Sequence, residues 1–170
     1  HFTPRDYFEQ NPAEKEKFSE NSFRSYAPVK EAQPIATSYI DMDIVNQSLR
    51  GYPANKLFQF LSAQFGESET MKLMKKYKVG TSKYWDGATV FWQTDNQNKV
   101  RTGKIMLYNP ETGKRVKEPY NHVTWAHSVL HKGDYNLRQC FFGEHLLSEN
   151  KCRPVALVES EKTALIASYY

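Results

Sequence analysis

The apolar residues of this chain change their spacing once, near Trp85, and that change limits the folds that the chain can adopt. Before it, apolar residues from Leu57 to Phe65 repeat at the spacing of one helix face. After it, Ala88 to Gln93 is rich in β-branched and aromatic residues and is followed by the turn signal Asp95-Asn96-Gln97-Asn98. Helices and strands that follow one another in separate blocks are typical of α+β folds.

The first block predicts a helical hairpin. Its first helix covers Leu57 to Phe65, with Pro53 near its start and Gly66 at its end. Ser68 is the predicted N-cap of the second helix, which is predicted to stop at Gly80.

The second block predicts a twisted antiparallel sheet. Val100 to Tyr108 follows the turn signal as a second strand, so the two strands form a hairpin. Asn109 to Gly113 is a further turn. The pattern of Asn121 to Leu130 fits either a helix or a strand, and Phe141 to Leu147 is predicted to be a short helix.

The last twenty residues combine a strand pattern, an acid and a helix start. Arg153 to Val158 is predicted to be a buried strand of a parallel sheet, and Ser160 to cap a helix from Glu161 to Ser168. Glu159 then lies at the carboxyl end of the strand, where open α/β sheets bind ligands. It is a candidate to bind a divalent cation or relay a proton. The alternative is a surface carboxylate that the helix dipole favours.

Three segments are expected along the chain. Residues 1–36 form a linker in which scattered aromatics follow no period, although a short helix within Pro12 to Phe18 is compatible with the sequence. Residues 37–150 form the α+β domain. Residues 151–170 start a second domain, because one strand and one helix cannot form a sheet alone. Since the first residue is His1 and not Met, we expect an excised piece or a processed product.

The composition fits a globular, mildly basic protein. The chain has 170 residues, 39% of them hydrophobic, which is enough for one core or for one domain with an arm. Its net charge of +4 permits a polyanionic partner without requiring one. The two cysteines, Cys140 and Cys152, are too few for a disulfide framework or a zinc site. No apolar run reaches the roughly 18 residues of a membrane span. We therefore expect a cytoplasmic protein without a membrane partner.

The string Val155-Ala156-Leu157-Val158-Glu159 resembles the opening motif of TOPRIM domains in bacterial DNA primases, a hydrophobic strand followed by Glu-Gly. Upstream segments resemble other primase motifs in the same order and at similar spacing. These segments are Lys76 to Gly80, Ala88 to Asp95, Lys99 to Lys104, Lys117 to Asn121, and Phe141 to Glu144. The chain is most similar to uncharacterised primase-like proteins of mobile elements. In those proteins such a region lies between a zinc ribbon and a full TOPRIM domain.

The resemblance implies a nucleotidyltransferase that makes primers on single-stranded DNA during replication. Residues 37–150 would correspond to the N-terminal subdomain of the primase core, and residues 1–36 would follow a missing zinc ribbon. Glu159 would be the catalytic acid and a ligand of Mg²⁺ or Mn²⁺. Ser160 stands where the motif has glycine. The Asp-x-Asp motif that completes the site would lie beyond Tyr170, so this fragment is expected to be inactive and to bind no cofactor by itself.

Six cations predict where nucleic acid would bind. They are Lys99, Arg101, Lys104, Lys114, Arg115 and Lys117. The aromatic residues Trp85, Trp92, Tyr108 and Tyr120 flank them. Cations beside stacking rings suit a single strand or an RNA/DNA template, and the resemblance places the primase template groove in this region. The alternative is a solvated hairpin whose charges discourage pairing at its edge.

Two other functions remain open from the residues alone. The chain is either a non-catalytic module that binds nucleic acid or a protein-interaction domain that docks a partner through its aromatic N-terminal arm. The apolar side chains near the C-terminus, Leu165, Ile166, Tyr169 and Tyr170, are expected to be buried, and self-association is one way to bury them. His127 and His131 are four residues apart but lack a third ligand at suitable spacing for a metal site.

Overall fold

The computed structural model describes residues 3–15, 35–130, 133–149 and 152–170. The chain divides into two compact units, His1–Ile35 and Ala36–Tyr170. The finer division into segments 1–36, 37–150 and 151–170 stays a prediction.

The first unit contains a helix that the sequence reading missed. Helix α1 spans Pro4–Gln10 and begins with a capping box. The backbone N–H of Thr3 donates to a carboxylate oxygen of Asp6 at 2.7 Å, and the N–H of Asp6 donates back to the Thr3 hydroxyl at 3.3 Å. Residues 12–15 are also helical, whereas residues 16–34 lie outside the described part of the chain. The spacing of the aromatic residues has no helical period, but the capping residue and the proline at the first helical position are sequence signals for the start of a helix.

The helices of the second unit confirm the predicted hairpin. They are α2 (Met42–Ser48), a 3-10 turn (Tyr52–Ala54), α3 (Lys56–Phe65) and α4 (Glu67–Lys76). Two details of the prediction were wrong. Ser68 does not cap α4, because the helix already begins at Glu67 and Gly66 precedes it with a φ of 84°. Gly80 does not stop α4 either, since the helix ends at Lys76.

The described strands form one antiparallel sheet in sequential order. They are β1 (Val79–Ser82), β2 (Ala88–Thr94), β3 (Val100–Met106) and β4 (Val123–Trp125). The predicted hairpin is β2 and β3, whereas β1 was read as the end of a helix. The ambiguous region 121–130 contains both β4 and a short helix, α5 (Ala126–Leu130). A 3-10 helix at Glu144–Ser148 replaces the predicted helix of 141–147, and α6 spans Glu161–Tyr169. The fold is α+β, as predicted.

The sheet separates two apolar clusters. The first contains Leu57 and Leu61 of α3, Met74 of α4, Phe91 of β2 and Leu165 of α6. The second contains Val45 of α2, Val90 and Trp92 of β2, Ile105 of β3 and Ala126 of α5. Neighbouring residues of β2 alternate between these clusters because side chains alternate across a strand. All seven residues of β2 are buried for this reason.

The predicted C-terminal strand is not formed. Residues 154–158 belong to none of the described strands, and the side chains of Val155 and Leu157 are 70% and 82% exposed. A strand is stabilised by hydrogen bonds to a neighbouring strand, and the described part of the chain places none beside this segment.

Helix α6 forms as predicted and packs within its own unit. The Ser160 hydroxyl accepts a hydrogen bond from the N–H of Thr163 at 3.1 Å, as an N-cap does. Leu165 is fully buried, and the Tyr169 ring stacks on Phe65 of α3 with 4.1 Å between ring centroids. This packing buries Leu165 and partly covers Ile166, whereas Tyr169 and Tyr170 remain 40% and 91% exposed. Self-association stays a prediction. Among the described helices, none is long and apolar enough to cross a membrane.

Asn55 joins α3 to the first two strands. Its side chain is fully buried, and Oδ1 accepts hydrogen bonds from two backbone N–H groups in the first turn of α3, at 3.0 and 3.1 Å. The same oxygen accepts a hydrogen bond from the Thr89 hydroxyl of β2 at 2.9 Å. Nδ2 donates to the carbonyl of Gly80 at 3.1 Å and to the hydroxyl of Thr81 at 3.2 Å, both in β1. The side chain therefore acts as a helix cap and as a bridge between strands.

We predict that Asn55→Ala lowers the free energy of unfolding by about 3 kcal/mol, because it removes a helix cap and leaves buried polar groups unsatisfied. Urea denaturation followed by circular dichroism measures this change. Asn109→Ala is the matched control, since Asn109 also accepts two backbone hydrogen bonds but in an exposed turn. Its cost should be about 1 kcal/mol or less. Equal losses for the two variants would contradict a bridging role for Asn55.

Candidate nucleic-acid interface

Glu159, the predicted catalytic acid and metal ligand, is exposed in the bend before α6. Within the described residues, no group of three or more His, Cys, Asp and Glu side chains is placed to hold a metal ion. A single carboxylate does not provide the several ligands that a phosphoryl-transfer metal site requires. The described residues thus do not fit Mg²⁺ or Mn²⁺, and the catalytic role of Glu159 stays a prediction.

Arg101, one of the six predicted cations, forms an ion pair at the end of the β2–β3 hairpin. Its Nε donates to Oδ2 of Asp95 at 2.7 Å, and Asp95 is only 2% exposed. Oδ1 of Asp95 accepts from the backbone N–H groups of Gln97 and Lys99, each at 2.9 Å. One carboxylate therefore shapes the turn and anchors the arginine.

The pKa of the Asp95 carboxyl lies below its ordinary value. Burial acts to raise it, but hydrogen bonds from the Lys99 N–H, the Arg101 side chain and the Gln97 N–H, together with the positive charge of Arg101, outweigh burial. The carboxylate is thus ionised at neutral pH, and its charge compensates that of Arg101.

Lys104 is also engaged within the fold. Its Nζ lies 3.2 Å from a carboxylate oxygen of Glu161 in the first turn of α6, and both side chains are largely buried. The neighbouring Lys162 donates to the carbonyl of Gly113 at 2.7 Å, which ties α6 to the turn after β3. The charge of Lys104 thus serves to dock the C-terminal helix. Reversing the charge of Lys104 or of Arg101 would therefore destabilise the fold, so a loss of binding in such a variant would not show that the side chain contacts a ligand.

Lys99 lies beside an aromatic ring that the sequence did not connect with it. Its Nζ is 5.0 Å from the ring centroid of Tyr39, and the guanidinium carbon of Arg101 is 4.9 Å from the same centroid. Both distances are within the range of cation–π interactions. Tyr39 precedes Lys99 by 60 positions, so no local pattern could have indicated this pair.

The three remaining cations lie in a loop that we call the basic loop, residues 114–120. Lys114, Arg115 and Lys117 are exposed, and none of them has an ion-pair partner in the described part of the chain. Backbone hydrogen bonds hold the loop against the sheet, because the N–H of Val116 donates to the carbonyl of Leu107 at 3.0 Å. The loop ends at Tyr120, which is 56% exposed.

Two of the four aromatic residues expected to flank the cations are in the core. Trp92 and Tyr108 are each 3% exposed, and the indole N–H of Trp92 donates to the Ser48 hydroxyl at 2.8 Å. Burial raises the pKa of the Tyr108 hydroxyl, and the nearby carboxylate of Glu161 acts in the same direction. Neither ring is available to stack on a ligand.

A row of four rings runs along the surface next to the basic loop, and we call it the aromatic row. Tyr84 meets Trp85 edge-on with 4.7 Å between ring centroids, and Trp85 meets His122 edge-on at 5.1 Å. His122 in turn stacks on Tyr120 at 4.4 Å. The sequence predicts Trp85 and Tyr120 as rings that flank the cations, but neither Tyr84 nor the stacking of His122 on Tyr120 was predicted. The two halves of the row are far apart in sequence, so only the fold brings them together.

The region that contains these features matches a protein family. Residues 55–170 match DUF6371, a domain of unknown function. The chain belongs to the DUF6371 family. No curated protein and no solved structure matches it.

The DUF6371 match includes Asn55, the sheet, the basic loop, the aromatic row and α6. It does not test the resemblance to primases. The primase, TOPRIM and mobile-element assignments therefore stay predictions.

His127, His145 and Cys140 have structural roles in the DUF6371 region. His127 pairs through Nδ1 with the Thr102 hydroxyl at 2.7 Å, whereas His131 lies outside the described residues. The Nε2 of His145 donates to the carbonyl of Lys76 at 3.1 Å, and burial lowers the pKa of this histidine. Burial raises the pKa of the Cys140 thiol to about 12, so it remains protonated and unreactive near neutral pH.

We predict that Asp95→Asn lowers the free energy of unfolding by about 2 kcal/mol at pH 7, because the hydrogen bonds of Asp95 lose their ionic character. The ionised carboxylate contributes fully to the free energy of unfolding above its unfolded-state pKa of about 3.9. This contribution is lost as the pH falls from there through the lower pKa of the native state. The difference between the two proteins should therefore shrink below about pH 4. Thermal unfolding from pH 7 to pH 2.5 measures it.

Asp86→Asn is the control for this measurement. Asp86 also faces a cation, Lys56, at 3.5 Å, but its side chain is 96% exposed. We expect little change in stability, since exposed ion pairs contribute little. A difference between Asp95→Asn and the unchanged protein that stayed constant down to pH 2.5 would show that ionisation of Asp95 does not contribute.

Proposed function

We propose that this chain binds single-stranded nucleic acid through the basic loop. The observation that carries the proposal is the contrast among the predicted cations. Lys114, Arg115 and Lys117 are exposed without an ion-pair partner among the described residues, whereas Arg101 and Lys104 are already paired. A phosphate can gain full electrostatic stabilisation only from cations that are not compensated by the protein.

The local charge balance favours a polyanionic ligand. Between positions 111 and 118 the loop and its preceding turn contain three cations, and Glu111 and Glu118 oppose them. Lys99 adds a fourth exposed cation near the end of the hairpin. The excess of positive charge is modest, so the affinity should come from several weak phosphate interactions. Salt screens such interactions, so the affinity should depend strongly on the salt concentration.

The exposed ring at the end of the loop favours a single strand over a duplex. Tyr120 is 56% exposed and presents part of its surface to solvent, while His122 supports it from behind. Bases of a single strand can stack on such a ring, whereas those of a duplex are already stacked on one another. Cations that follow the backbone beside such rings are typical of surfaces that bind single strands without reading their sequence.

The resemblance to primases places this binding in a larger context. In that context the chain would hold a template. Primer synthesis by a longer protein stays a prediction, because Glu159 alone cannot form the metal site that nucleotidyl transfer requires. A protein-interaction domain is the competing function. It would show no response to polyanions and no systematic dependence on salt.

We predict that replacing Lys114, Arg115 and Lys117 by glutamine weakens binding to a labelled oligo-dT. The slope of log affinity against log salt should fall in magnitude by about 2, since each lost phosphate interaction removes about 0.7 from the slope for single strands. Fluorescence anisotropy at several salt concentrations measures both quantities.

The matched control is the replacement of Lys72, Lys75 and Lys76 by glutamine. These residues are exposed on α4, so the control changes the net charge by the same amount at another place. We expect a much smaller change in slope for the control. Equal slopes for the two triple variants, or no oligonucleotide binding by the unchanged chain, would refute the proposal.

A further inference from the structure

We infer that the aromatic row of Tyr84, Trp85, His122 and Tyr120 is a stacking site for nucleobases. The bases of one strand would stack on the two exposed rings at its ends, while the basic loop engages phosphates. This inference rests on the proposed function and deepens it, since it assigns the part of the ligand that the row binds.

The four rings contact one another in sequence, with exposed rings at the ends and a largely buried centre. Tyr84 and Tyr120 are 52% and 56% exposed, whereas His122 is only 8% exposed. Trp85 is partly buried against the second apolar cluster. The successive centroid distances of 4.7, 5.1 and 4.4 Å are those of interacting aromatic pairs. The two exposed rings thus offer a ligand apolar faces that neighbouring rings support.

The backbone holds both halves of the row in place without a ligand. The N–H of Ala88 donates to the carbonyl of Trp85 at 3.0 Å, which fixes the half that precedes β2. The N–H of Leu107 donates to the carbonyl of His122 at 3.2 Å, and the N–H of His122 donates to the carbonyl of Val116 at 3.3 Å. Because the main chain that carries these rings is already held, a base that stacks on them incurs little entropic cost for ordering the backbone.

The charges beside the row indicate a polyanion rather than a neutral ligand. An exposed lysine lies close in sequence to each end of the row. Lys83 precedes Tyr84, and Lys117 of the basic loop lies shortly before Tyr120. Asp86 is the opposing charge at the first end, but it already faces Lys56 at 3.5 Å. A lysine therefore accompanies each exposed ring, as expected for a surface that binds bases and phosphates of one strand together.

His122 adds a polar atom to the row. Its Nδ1 is buried and makes no hydrogen bond within the described part of the chain. Buried polar atoms usually have a hydrogen-bond partner, so a polar group of a ligand at the row can supply the partner that this nitrogen lacks.

The test compares oligo-dT with an abasic oligonucleotide of the same length, which keeps the phosphates and removes the bases. Tyr84→Ala and Tyr120→Ala should each weaken oligo-dT binding by roughly 10-fold, which is within the range of losses on removing a stacking ring. Neither variant should change the salt slope, because no charge is altered. Binding to the abasic oligonucleotide should be the same in both variants and the unchanged chain.

Two controls separate ring stacking from other effects. Tyr120→Phe keeps the ring and should retain binding. Tyr170→Ala removes an exposed tyrosine at the C-terminus, 91% exposed, and should have no effect. Thermal unfolding of each variant shows whether the fold is retained.

The outcomes distinguish the inference from the proposed function. If the chain binds oligo-dT with a salt dependence that the basic loop sets, but the two tyrosine-to-alanine variants bind unchanged, the stacking site is refuted and the binding of phosphates by the basic loop stands. If the variants weaken abasic and normal oligonucleotides equally, the rings do not bind bases and the inference also fails. If the unchanged chain binds neither oligonucleotide, the proposed function fails first.

Discussion

The buried side chain of Asn55 is the interaction on which the rest of the second unit depends. It connects the start of α3 with β1 and β2, so one residue fixes how the helical hairpin sits on the sheet. The N–H of Lys56 donates to the carbonyl of Gly87 at 2.9 Å and so holds the loop between β1 and β2 beside the same helix end. That loop contains Tyr84 and Trp85. The geometry of the proposed base-stacking site therefore depends on an amide that no ligand would touch.

Local patterns predicted those elements whose stability is local. The helical spacing of α3 and α4 and the β2–β3 hairpin with its turn were readable because their periods and turn residues lie within short windows. Strand β1 was not readable. It has only four residues, and its extended conformation depends on Asn55 and on the close approach of Ser48 and Val90 to Gly80, where a β-carbon would have no room. Such a strand is specified by its neighbours rather than by its own sequence.

The C-terminal segment shows the same distinction. Helix α6 was predicted because Ser160 is a local cap signal, whereas the strand at 154–158 was wrong because an apolar run says nothing about whether a partner strand is present. The candidate site divides in the same way. The pairing of Arg101 with Asp95 lies within one hairpin and was within reach of sequence reasoning. The pairing of Lys104 with Glu161 and the stacking of Tyr120 with Trp85 through His122 require the folded chain.

A count of basic residues therefore does not tell which cations the fold has already paired with carboxylates. Where a cation has a carboxylate partner, it stabilises a turn or docks a helix. Replacing that cation would mainly lower the stability of the fold. Where it has none and is exposed, its charge is available to a ligand at little cost to the fold. Of the six predicted cations, Arg101 and Lys104 of β3 belong to the first group, whereas the three of the basic loop and Lys99, just before β3, belong to the second. Under the proposed function, changes in the basic loop would therefore alter binding while the ion pairs of Arg101 and Lys104 continue to hold the hairpin and α6.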